Sequence, residues 1–212
     1  MCPNKIKRSE SNSTPTPTIT LDLTDLDNFI AGLPDTPAYP ADHSKPTLTK
    51  ASKALKHVTA VINRTIPADT EAFITIYNLA NGVDSKGGFP VHAYPAPATA
   101  CFAARCAIFF VEYVASKVAD RPLNIPLHYA ADDRAAECVA QCAYFADRTE
   151  AFATHGAGAY TAADYANLSP GNIISRDFDP DRDARLALAA NELAKKVREL
   201  EEFFNKHIFK KT

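Results

Sequence analysis

The 212 residues carry 23 basic and 25 acidic side chains, a formal net charge of −2, and are 46% hydrophobic and 23% charged. This is a globular composition, large enough for one core, with no electrostatic footprint for nucleic acid or an anionic membrane. Residues 1–10 are charged without an apolar stretch, and no uninterrupted apolar run reaches the ~18–20 residues of a membrane span. A cytoplasmic protein with reduced cysteines is therefore expected, with neither membrane nor nucleic acid as partner.

Residues 1–46 differ from the rest. They hold seven prolines, including Thr14-Pro15-Thr16-Pro17, and proline favours extended backbone over helix. One apolar island interrupts them: Leu26, Phe29, Ile30 and Leu33 at helical spacing, with Thr24 and Asp27 as a capping pair. The expected organisation is a proline-rich, partly extended arm with one short helix over 1–46, and a helical bundle over 47–212.

The bundle opens with a helix over 48–64, with Leu55, Val58, Val61 and Ile62 on one face and Lys50, Lys53 and Lys56 on the other. A second helix is predicted over 68–83, closed by Asn81-Gly82. A long loop follows, with the chain's only glycine pair, Gly87-Gly88, and then His92 and Tyr94. Glycine lets backbone approach a ligand, but no phosphate-binding glycine motif is present.

Residues 97–152 are the centre of the chain. Residues 98–119 are apolar nearly all round, with Arg105, Glu112 and Ser116 as a thin polar stripe, the mark of a central bundle helix. Pro122 and Pro126 punctuate a turn, and a second helix is predicted over 127–152 with Cys138, Cys142 and Phe145 inward. In an antiparallel hairpin, residues at one level have numbers of constant total. Cys101 with Cys142 and Cys106 with Cys138 match in this way, at 243 and 244. Thiolates on facing helices can hold Cu(I) or Zn²⁺, so Cys106, Cys138 and Cys142 are candidate metal ligands. Cys101 and Cys106 are ~140° apart around their helix, so Cys101 stands apart. The alternative is that these cysteines pack as small hydrophobes.

Arg148 and His155 supply an arginine for charge stabilisation and a histidine for proton transfer, but Arg121 and His128 repeat the same spacing, so the pair is unspecific. A short helix is predicted over 160–166. Asp179-Pro180 then opens the most legible helix, with Asp179 as N-cap, Pro180 in the first turn and Asp183 as a first-turn acid. Leu186, Ala190, Leu193, Val197, Leu200 and Phe204 form a heptad seam of about two and a half repeats.

The fold expected is an all-α bundle of five or six helices. The leading functional reading is a non-enzymatic binding or regulatory protein of inhibitor, immunity or adaptor type. It would take a protein partner, or a second copy of itself, through residues 186–204. An alternative is a small-molecule-binding protein or enzyme with its site at the 87–94 loop and the ends of the central hairpin, drawing on His92, Tyr94, His128, Tyr129, Arg148 and His155. A third is the thiol metal site. No residue pattern specifies a cofactor.

Overall fold

A computed structural model describes residues 17–35, 43–68, 95–119, 132–156 and 179–209, together with Glu71, Ile74, Thr75 and Asn78. Among the described residues the protein is all-α, with five helices and no strand: α1 (Thr24–Ala31), α2 (Ser44–Ile62), α3 (Pro95–Val118), α4 (Asp132–His155) and α5 (Pro180–His207). Glu71, Ile74, Thr75 and Asn78, inside the second predicted helix, are helical too. The helix predicted over 160–166 lies outside the described residues.

Local chemistry sets most helix ends. The Asp179 carboxylate accepts from the backbone N–H groups of Asp181 and Arg182, and Pro180 occupies the first turn, so α5 begins where its sequence predicts. Its first-turn acid has a further role. Asp183 is buried and takes two donations from the buried Arg182, through Nε (3.0 Å) and Nη2 (2.8 Å). α2 starts at Ser44, four residues earlier than predicted, because Pro46 falls in its first turn, where the missing N–H costs nothing. α4 ends at Gly156, whose φ of 57° supplies the left-handed residue that closes a helix. α1 departs from its predicted cap. Asp22, not Thr24, accepts the Thr24 N–H, and Asp27 instead binds Ser52 Oγ (2.7 Å) and Lys56 on α2.

α3 and α4 form the antiparallel hairpin. The facing pairs Thr99–Thr149, Phe102–Phe145 and Cys106–Gln141 have residue numbers totalling 247 or 248. The register is thus four residues from that predicted. α5 runs antiparallel to α4, with Asn191 Nδ2 on Glu150 Oε2 (2.8 Å), and so parallel to α3. α2 also runs parallel to α3 and meets it from Thr47 against Cys101 onward. α1 lies antiparallel along the seam between α2 and α5. It is held by Arg185 Nη1 on the Gly32 carbonyl (3.0 Å) and Lys45 Nζ on the Leu33 carbonyl (2.6 Å).

The heptad seam of α5 is buried within the bundle, from Leu186 to Phe204, and Leu26, Ile30 and Leu33 join the same core. α3 is long and apolar enough to cross a membrane by length and composition, but most of it is buried against α2, α4 and α5. Its predicted polar stripe is not a solvent face: Glu112 and Ser116 are both buried.

Candidate functional site

Of the residues singled out from sequence, His92, Tyr94, His128 and Tyr129 lie outside the described residues. Arg148 and His155 lie two turns apart on α4, so about 10 Å of helix rise separates them. The Arg148 guanidinium sits over the Phe152 ring at 5.3 Å, while His155 is exposed. Both are in the C-terminal third of α4, away from the cysteines in its first half.

The three thiols do come together. Cys106 of α3 stands at the level of Gln141, between Cys138 and Cys142 of α4, and donates to Gln141 Oε1 at 3.6 Å. Cys101 is separate and donates to Thr47 Oγ1 at 3.5 Å. All four are buried. Burial pushes Cys106 up to about 12, with Cys138 adding to it, and burial pushes Cys138 up to about 11. Burial, then Cys106 and Cys138, push Cys142 up as well. A metal ligand must be a thiolate, and these sites hold the proton. Among the described residues no group of three or more His, Cys, Asp or Glu is arranged to hold a metal ion. Cys106, Cys138 and Cys142 are neighbours, as predicted, but the described structure gives them the chemistry of small core hydrophobes.

A cleft of about 420 Å³ opens where the C-terminal part of α3, the start of α4 and the end of α5 meet. Its aromatic walls are Phe110 and Tyr113 from α3, Phe204 from α5 and Phe209 just beyond α5. From α4 come Asp133 and the small side chains Ala135 and Ala136. Phe204 is the hub. It meets Phe110 edge-on at 6.5 Å and Tyr113 at 5.7 Å, and stacks on Phe209 at 5.6 Å. Asp133, Glu201 and Asn205 complete the lining. Partial burial holds the Glu201 carboxyl above its ordinary range, with Arg198 opposing and Glu202 adding to the shift.

This cleft was not found from sequence, because its walls come from three segments about 25 to 70 residues apart. The signal available was the contrast between Phe and Tyr on α3 and α5 and paired alanines on α4. A second depression crosses α5 between α1 and α4, with Phe29, Ala143 and Leu188 among Asp25, Asp147, Glu150, Lys195 and Arg198. It holds about 490 Å³ but is more open, and its charges are mixed. Comparison with protein-family models, curated proteins and solved structures finds no match to this chain.

Proposed function

We propose that this protein is a small-molecule-binding helical bundle whose site is the aromatic cleft at the turn end of the α3–α4 hairpin. The observation that carries the reading is an open cleft of about 420 Å³, bordered by Phe209, Ala136, Glu201 and Asn205 and floored by the buried rings of Phe110, Tyr113 and Phe204. Ligand sites of this kind are concave, mostly apolar and furnished with a few polar groups, commonly at about 300–1,000 Å³. The reading keeps the site at an end of the central hairpin, and draws it from α3, α4 and α5. Docking of a partner or second copy along 186–204 has less support, since the apolar side chains of that seam are occupied inside the bundle.

The chain has no tryptophan, which gives a clean test. Ala136 is exposed at the cleft and can take a larger side chain without overpacking the core. The neutral fluorophore N-phenyl-1-naphthylamine should bind the wild-type protein saturably at one site. Ala136→Trp should keep its helical circular dichroism and bind at least about tenfold more weakly, about 1.4 kcal/mol. Absence of saturable binding to the wild type, or equal binding by the two proteins, would refute the reading.

A further inference from the structure

We infer that the groove between α2 and α5 is a docking site for an amphipathic helix of a partner protein, and that α1 is the chain's own occupant of that site. The inference is independent of the cleft, which lies between α3, α4 and α5. The groove displays what it takes. α1 packs on α2 and α5, and its Leu23, Leu26, Ile30 and Leu33 are all buried in the common core. These four step by three, four and three residues, the anchor spacing of a helix laid into an apolar groove. α1 is only eight residues long, and an isolated helix shorter than ~12–15 residues is marginal in water. Its helical form is therefore set by the groove, as it is for a bound peptide.

Polar side chains on the rims of the groove clasp α1. Lys45 Nζ donates to the Leu33 carbonyl (2.6 Å) and Arg185 Nη1 to the Gly32 carbonyl (3.0 Å). These carbonyls lie at the C-terminal end of α1, where a helix leaves carbonyls unpaired and its dipole is negative. Main-chain carbonyls carry no side-chain identity, so the two cations can serve any helix that enters in this direction. Lys56 Nζ and Ser52 Oγ both donate to the Asp27 carboxylate, next to the Leu26 anchor.

The partner's chemistry follows from these contacts. The groove reads Leu-x-x-Leu-Asp-x-x-Ile-x-x-Leu, the pattern of Leu23 to Leu33, in a helix whose C-terminal end meets Lys45 and Arg185. Lys56 and Asp27 are each about half exposed, and ion pairs in water contribute little stability. A partner helix with an acid at the same place makes the same contacts, so the exchange is close to even in its polar part. The tethered α1 competes as an intramolecular ligand, at an effective concentration on the order of millimolar. It thereby sets a threshold that only a tighter-binding helix passes.

The test uses a fluorescein-labelled peptide of residues 17–35 and the full chain, read by fluorescence anisotropy. Leu26→Asp/Ile30→Asp keeps the chain's own α1 out of the groove. This variant should retain helical circular dichroism and bind the peptide at least about tenfold more tightly than the wild type does. Ile30→Ala weakens one anchor without placing charge against the core, and should tighten peptide binding by at least about threefold. The same peptide carrying both aspartates should bind none of the three proteins. If the double variant loses its helical signal, Ile30→Ala decides by the same comparison. Equal binding of the native peptide by wild type and folded variant, no binding by a folded variant, or equal binding of the two peptides would overturn the inference.

Discussion

Glu112 is 3% exposed in the middle of α3, and its Oε1 has no hydrogen-bond partner. Burial raises its carboxyl from 4.5 to about 7. The folded state therefore holds the proton more tightly than the unfolded chain does. The stability this confers is fully present below pH ~4.5 and is lost as the pH rises through 7. In urea titrations the wild type should lose about 3 kcal/mol more stability than Glu112→Gln between pH 4.5 and pH 8, from 1.36 kcal/mol per pKa unit. Parallel pH profiles for the two proteins would show that Glu112 is not desolvated. The sequence showed Glu112 as a polar residue on a helical stripe. It did not show that the stripe faces inward, because that depends on α2 and α5 covering α3 from both sides.

At the scale of elements, the end of α2 departs from the commonest chemistry. The Arg64 N–H bonds the Val61 carbonyl and the Thr65 N–H bonds the Ala60 carbonyl, the paired bonds that close a helix through a left-handed residue. That residue is Arg64, at φ 57°, where glycine is usual. Arg64 is exposed, so its side chain contributes little packing to offset the strain. Arg64→Gly should raise stability by about 0.5–1 kcal/mol, seen as a higher midpoint of thermal unfolding, whereas Arg64→Ala should not. Beside it, Asn63 brackets Ile19, accepting from its N–H at 2.8 Å and donating to its carbonyl at 2.7 Å. This ties the residues just before α1 to the end of α2. The helices themselves were largely legible. α5 was marked by Asp179-Pro180 and a continuous heptad pattern, and α3 by its all-round apolarity. The hairpin register was not legible. The matched cysteine pairs implied totals of 243 and 244, while the facing pairs total 247 or 248, and four residues of offset changed which residues share a level. The cysteine grouping survived that error only because Cys138 and Cys142 are one turn apart, so Cys106 falls between them in the corrected register.

At the scale of the whole molecule, α5 touches each of the other four helices. Its charged side chains conceal this in a hydropathy reading, since the apolar residues form a narrow seam. Helices with contacts on all sides open only with global unfolding, whereas peripheral elements open locally at lower free energy. Hydrogen exchange should find the amides from Leu193 to Leu200 protected to the limit set by global unfolding, and those of α1 exchanging sooner. Faster exchange in α5 than in α1 would contradict this arrangement. The features that stood out in sequence, the seam and the thiols, are used for packing. The cleft is what remains where alanines on α4 face rings on α3 and α5.

The contact between Arg185 and the Gly32 carbonyl spans 153 residues of chain. During synthesis at about 5–20 residues per second, α1 leaves the ribosome roughly 8–30 s before the helix it lies along exists. For that interval Leu26, Ile30 and Leu33 lack the α5 side of their final packing. The newborn chain must therefore keep an apolar amphipathic segment out of trouble until its last helix arrives. This makes the docking of α1 onto α5 a late step in folding.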